Sequence, residues 1–267
     1  MALGRVIREN RLKTFVGQLE PTLKYIGSKP GYCYSACATA FLGGEYRYWT
    51  DGSVYGVHRF FWDNHSNTDA DVAQIVSAAV VEYIRSMDVD IKLFALASQA
   101  GSSQMITPSH ETLRALNVVN DGRKPAKWTI ESITGAMYLK GEQETANGMN
   151  KFLLVCPADG TMYLHAIFDA GQNAEEVMAL PVNWLFLDMK HVRIDNRLRR
   201  KVNNHGTINL EYRLDPSLLA AIAGTKTVGV GLQSNAEAAI FNGFDNMPFA
   251  GGAVKLPGFS QVCHRSR

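Results

Sequence analysis

The sequence predicts an α/β domain followed by a mostly β domain, and three observations carry that expectation. Val72, Ile75, Val76, Ala79, Val80, Tyr83, Ile84 and Met87 recur at helical spacing and make the clearest amphipathic helix of the chain. A polar stretch, Asp121 to Lys127, interrupts the apolar patterning and marks a boundary between residues 1–122 and 123–267. Beyond it, short apolar runs separated by turn residues replace long helical periods.

In chain order, Ala2 to Leu12 reads as a helix because Leu3, Val6, Ile7 and Leu12 recur near helical spacing. Lys13 to Val16 reads as a short strand, and Gly27 to Gly31, containing Pro30, as a loop. Tyr32 starts a strand-like piece that runs into the small residues Ser35 to Ala40 and stops at Gly43-Gly44, the pattern of a strand turning into a small-residue helix. Val54 to Phe60 reads as a strand in which Gly56 admits close backbone approach. The long helix follows, with Thr68 or Asp69 as its cap, then a helix over Ile91 to Ala100 and another opening at Pro108 and running to Leu116.

In the second domain Phe152 to Val155 and Met162 to Ile167 flank Pro157-Ala158-Asp159-Gly160, a hairpin signature. Further strands are expected at Trp184 to Leu187, Ile208 to Tyr212, Val228 to Leu232 and Ala238 to Phe241, with a short helix, Leu218 to Ile222, behind Asp215-Pro216.

Composition narrows the function. A chain of 267 residues that is 46% hydrophobic can fill a core, which argues against disorder. A formal charge of +2 argues against nucleic acid or an acidic membrane surface as the main partner, and the basic run Arg197, Arg199, Arg200 and Lys201 reads as a solvated face or turn. No run approaches the ~20 apolar residues of a membrane span, and the residues after Met1 lack the order of a secretory signal. The histidines at 65, 110, 165, 191, 205 and 264 show no metal-ligand spacing and read as surface or loop residues, so no metal or cofactor is expected. Asp188, His191 and Asp195 read as loop or strand-end residues.

A serine nucleophile needs a base, a group that orients the base, and backbone donors for the developing oxyanion. Ser35 stands at a strand-to-helix junction, and the Ala36 amide lies at a helix N-terminus, where N–H groups are unpaired. The same position equally suits a structural N-cap serine. Cys33 and Cys37 read as a bridge or as two buried thiols, and a Cys156 to Cys263 bridge would tie the C-terminus to the second domain.

Cys33-Tyr34-Ser35-Ala36-Cys37, Phe41-Leu42-Gly43-Gly44, Arg47 and Gly56-Val57-His58-Arg59-Phe60-Phe61 together resemble the ClpP/crotonase-like superfamily, specifically a bacterial Ser-Ala-Cys group related to the Clp protease proteolytic subunit. His58 follows Ser35 by 23 positions, the order of nucleophile and base in ClpP-type peptidases, and the resemblance continues through Ile106-Thr107-Pro108, Glu111 and Val118-Val119. It implies a serine hydrolase acting on a peptide or acyl substrate, with Ser35 as nucleophile, His58 as base and the Ala36 amide as oxyanion donor. A homo-oligomer and a periplasmic location for the full-length relative are further implications.

Two departures accompany it. Ser103, Gln104 and Met105 stand where the family places the triad's acid, leaving Asp63, Asp88 and Asp90 as substitutes, and losing that acid costs about 10⁴-fold where the triad operates. The family's glycine-rich turn, a second oxyanion donor, precedes the helix that matches Ala2 to Asn10, so the expectation is a fragment of a longer relative, slow or inactive by itself; one such donor contributes about 10² to 10³ in turnover. The competing expectation is a non-catalytic binding or scaffold protein on the same fold. A crotonase-type acyl-CoA enzyme fits less well, because the two backbone donors and the carboxylate it uses are not visible.

Overall fold

The computed structural model describes residues 1–21, 26–60, 69–101 and 104–265. They form two compact units, Met1–Gly122 and Arg123–Arg267. The first mixes helices with short strands, and the second is built on large antiparallel sheets.

The first unit begins with α1 (Ala2–Glu9), β1 (Thr14–Val16), β2 (Gln18–Pro21), β3 (Ile26–Lys29), β4 (Tyr32–Tyr34) and α2 (Ala36–Phe41). It continues with β5 (Arg47–Trp49), β6 (Val54–Gly56), α3 (Asp69–Ser86), α4 (Lys92–Gln99) and α5 (His110–Ala115). β1 pairs with β5 and β4 with β6, both parallel, while β2 and β3 form a hairpin. The stretch Gly27 to Gly31, expected as loop, is therefore largely strand. Backbone pairing of Gly27 and Ser28 with Glu20 and Leu19 decides this, and those residues offer no alternating pattern to read.

The strand expected over Val54 to Phe60 ends at Gly56, because Val57 leaves β6 and exchanges backbone hydrogen bonds of 2.9 Å with Ile106 instead. Of the caps expected for α3, Thr68 lies outside the described residues.

The core of this unit gathers Phe41, Leu42, Tyr55, Tyr83, Leu93 and Leu113. Within it α2 has only six residues, too few for a helix to hold itself together in water. Side chains take up its carbonyls instead. Tyr55 donates to Ala38 O at 3.2 Å, Tyr83 to Thr39 O at 2.6 Å and Thr14 to Phe41 O at 2.8 Å. Burial pushes both tyrosine hydroxyls above their ordinary pKa, so each remains a neutral donor.

Arg47, 1% exposed, completes the set. Its guanidinium donates to Leu42, Gly44, Met87, Asn117 and Val118 carbonyls at 2.6 to 3.3 Å, joining the chain ends beyond α2, α3 and α5. Burial, then the nearby charge of Arg8, lowers its pKa to about 10, which leaves it protonated at neutral pH. Gly43 lets α1 approach this junction, since a Cβ there would stand 2.1 Å from Gly4 O.

The second unit runs β7 (Lys127–Ile133), β8 (Ala136–Thr145), β9 (Gly148–Pro157), β10 (Tyr163–Asp169), α6 (Ala174–Ala179), β11 (Val182–Leu187), β12 (Lys190–Arg193) and β13 (Leu198–Asn204). β14 (Thr207–Arg213), α7 (Pro216–Ala223), β15 (Thr227–Gln233), β16 (Asn242–Pro248) and α8 (Ala250–Arg265) complete it. Six strands form a sheet in the order β13-β14-β10-β9-β8-β7, and four form β12-β11-β15-β16, every pair antiparallel. Phe152, Leu154, Leu164, Leu185, Val230 and Phe259 are among the fully buried residues of its core.

Ala238 to Phe241, expected as strand, lies in a turn where Gln233 Nε2 donates to Ala238 O at 2.6 Å, and the strand starts at Asn242. The basic run around Arg199 lies on β13, at the edge of the six-stranded sheet. α8 carries Gly251, Gly252, Pro257 and Gly258, poor helix formers that hid it from propensity. Leu256, Phe259 and Cys263 share its buried face, and the Cys156–Cys263 disulfide ties it to β9.

Replacing Arg47 by Met should leave the Asn117 and Val118 carbonyls without this donor and the Leu42, Gly44 and Met87 carbonyls with Arg8 alone. We expect a loss of at least about 3 kcal/mol in the denaturant-induced unfolding of the chain, and a poor rescue by Lys, which lacks the planar fork of donors. Asp215, the N-cap of α7, is held down to about 2 from 3.8 by hydrogen bonds from Ser217 and the Leu218 amide and by Arg197. A depressed carboxyl stabilises the fold above its unfolded pKa and loses that contribution as pH falls through the folded value. The gap in unfolding midpoint between the natural chain and Asp215→Ala should therefore be steady above pH 3.8 and close toward pH about 2.

Candidate functional site

β4 and β6 run side by side in the same direction, in the register Tyr32 to Val54, Cys33 to Tyr55 and Tyr34 to Gly56. The Ser35 amide extends the pairing by donating to Gly56 O at 3.1 Å. Both strands consequently end at one edge, and the residues that follow them emerge together. Ligand sites of parallel sheets form at such carboxyl ends.

Ser35 adopts φ +55° and ψ −113°. A residue with a Cβ is strained in this region, and strain of this kind persists only where the surroundings enforce it. Here it converts the β4 direction into the α2 direction within one residue and leaves the hydroxyl exposed. A disulfide from Cys33 to Cys37 spans the turn, with Cys33 3% exposed in the strand and Cys37 on the first turn of the helix. Cys37 therefore carries no free thiol.

His58, half-buried, reaches the serine: its Nε2 lies 2.7 Å from Ser35 Oγ. Its Nδ1 lies 2.7 Å from Arg59 O. A carbonyl can only accept, so Nδ1 carries the hydrogen, and in the neutral ring Nε2 is left as the acceptor for the serine O–H. That tautomer can take a proton from Ser35. The Ala36 amide precedes the first helical bond, Thr39 N to Ser35 O, so the helix provides it with no partner.

The three candidates for an orienting acid have other positions. Asp88, in a left-handed turn at φ +55°, pairs with Arg8 at 3.0 Å. Asp90 accepts from the Lys92 amide at 2.9 Å, and Asp63 lies outside the described residues, as does Ser103. Gln104 folds back on its own turn, accepting from Gly101 N at 3.2 Å. Met105 instead lines the site: a Cβ on Gly56 would meet Tyr34 Cδ1 at 2.5 Å and Met105 Cγ at 2.7 Å. Tyr34 and Met105, both 40% exposed, thus flank the backbone that carries Ser35 and His58. The sequence names Tyr34 only as part of the Ser-Ala-Cys motif and Met105 only as one of the residues standing in place of the triad's acid; neither these side chains' place beside the nucleophile nor the Arg59 carbonyl was legible there.

Of the remaining histidines, His65 lies outside the described residues; among the others, His165 and His191 lie on strands, His191 exposed at the surface, and His110 on a helix. His165 lies on β10, 3.4 Å from Glu211, with its pKa lowered by burial, and His191 on β12 packs on Phe186. His110 stacks on Trp49. Asp188 accepts from the Lys226 and Thr227 amides, and Asp195 pairs with Arg193. Among the described residues no His, Cys, Asp and Glu set could hold a metal ion. No described helix is long and apolar enough to cross a membrane.

No family model, curated protein or solved structure matches the chain. The chemistry of the site rests on its own geometry.

The Cys33–Cys37 bridge closes a loop so short that the chain-entropy estimate of its stabilisation is only about 2 kcal/mol. Its larger effect is local. A Cys33→Ser, Cys37→Ser double variant should unfold at slightly lower denaturant while the amides of residues 35–39 exchange markedly faster with solvent. Unchanged exchange there would mean that the bridge does not hold the turn.

Proposed function

We propose that the first unit is a serine hydrolase of the ClpP-type class, cleaving a peptide or acyl bond with Ser35 as nucleophile and His58 as general base. The observation that carries this reading is the 2.7 Å contact from Ser35 Oγ to His58 Nε2, made by a serine held at positive φ ahead of a helix. An ordinary N-cap serine sits in extended backbone and turns its oxygen onto the helix amides. Ser35 does neither: its side chain makes no capping hydrogen bond and points to an imidazole instead.

In the proposed reaction His58 Nε2 accepts the serine proton as Oγ attacks the carbonyl carbon of the substrate. The Ala36 amide faces the developing oxyanion, and the imidazolium returns the proton to the leaving group. Arg59 O holds the ring through Nδ1–H in the orientation this transfer needs. An exposed tyrosine pair, Tyr32 and Tyr34, and Met105 offer an apolar surface beside the nucleophile, which suits an acyl group or an apolar peptide side chain.

A fluorophosphonate probe should attach to Ser35 of the full chain, with attachment abolished in Ser35→Ala and slowed by about 10² or more in His58→Gln. Equal labelling of Ser35→Ala, or none in a chain whose circular dichroism shows it folded, would favour a binding protein on the same scaffold.

A further inference from the structure

The second unit holds an open groove of about 1200 Å³, above the usual size of small-ligand pockets, roughly 300 to 1,000 Å³. Its bed is apolar, formed by Met162 ahead of β10, Leu198 on β13, Leu214 after β14, Leu219 on α7 and Leu256 on α8. Ala220 and Ala253 keep the helical walls low, so the bed stays open to solvent. An apolar guest laid along it would remove that surface from water.

The rim has a different character. Arg197, Arg199 and Arg213 line it against a single carboxylate, Asp215. Asp215 is already engaged by Arg197 and by the α7 cap, where Ser217 Oγ and the Leu218 amide donate to it at 2.6 and 2.9 Å. The register between β13 and β14 slips between Leu198 and Arg200, and Arg199 falls in that irregularity. Its guanidinium lies 5.1 Å from the ring centroid of Tyr163 and donates to the hydroxyl at 2.6 Å, with Glu211 at 3.9 Å. Tyr163 is the cross-strand partner of Arg213. Arg199 and Arg213 therefore both line the groove's rim, Arg199 held on Tyr163 and Arg213 on the neighbouring strand opposite that tyrosine, and Arg213 has no carboxylate partner among the described residues.

We propose that this groove binds a long-chain carboxylate, with the chain along the bed between α7 and α8 and the head group between Arg199 and Arg213. The planar fork of arginine matches a carboxylate through two parallel hydrogen bonds. One negative charge balances Arg213, the one guanidinium of the rim without an acidic partner among the described residues, which favours a carboxylate over a doubly charged phosphate monoester. The site lies entirely within residues 123–267 and does not depend on Ser35 chemistry.

Palmitate titrated into the full chain below its micelle concentration, followed by calorimetry, tests the assignment. Saturable binding at one site is expected, weakened at least about tenfold in Arg213→Gln, because a charge-assisted hydrogen bond is lost. Ala220→Trp, on the exposed wall of α7, should block the bed and weaken binding by a similar factor while the unfolding midpoint stays unchanged. Hexadecanol, with the same chain and no charge, should bind at least about tenfold more weakly than palmitate. Three results would overturn the proposal: no saturable binding up to the solubility limit, binding indifferent to both substitutions, or hexadecanol equal to palmitate. Tighter binding of a lysophosphatidate of the same chain length would overturn the choice of head group.

Discussion

The first unit depends on how a six-residue helix is kept in place. α2 is too short to persist alone, and its carbonyls are held by Tyr55, Tyr83, Thr14, Arg8 and Arg47 rather than by further turns. A buried guanidinium is costly unless its donors are satisfied. Arg47 meets that condition by collecting carbonyls from the ends of three helices, so the same side chain that needs the junction also defines it.

What is anchored at one end of α2 is presented at the other. Ser35 opens the helix in a backbone conformation that a free chain would avoid, and three restraints enforce it. They are the Ser35 amide bond to Gly56, the Cys33–Cys37 bridge across the turn, and the fixed helix beyond. His58 follows from the same pairing, because a strand parallel to β4 delivers its next residues to the same edge. The pair is thus placed by a strand pairing, a disulfide and a helix end, which is what the proposed chemistry requires.

Legibility in the sequence followed the range of the interactions. The period from Val72 to Met87 announces α3, and the Pro157 to Gly160 turn announces the β9 to β10 connection, because neighbouring residues decide both. Ser35 and His58 were visible as residue types in a suggestive order. The Arg59 carbonyl that sets the histidine tautomer was not, since a backbone atom leaves no trace in side-chain identity. β3 escaped because Gly27 and Ser28 pair through backbone alone, and α8 because its glycines and proline masked an apolar face at Leu256, Phe259 and Cys263. The groove of the second unit is assembled from four separated segments, and no local pattern could announce it.

The central claim is that the neutral imidazole of residue 58 accepts the hydroxyl proton of residue 35. Long-range proton–nitrogen NMR correlations of histidine-labelled protein at mildly alkaline pH address it directly. The account predicts a ring protonated at Nδ1, with an Nε2 resonance that shifts when the serine oxygen is removed. A ring protonated at Nε2, with nitrogen shifts indifferent to that oxygen, would contradict it.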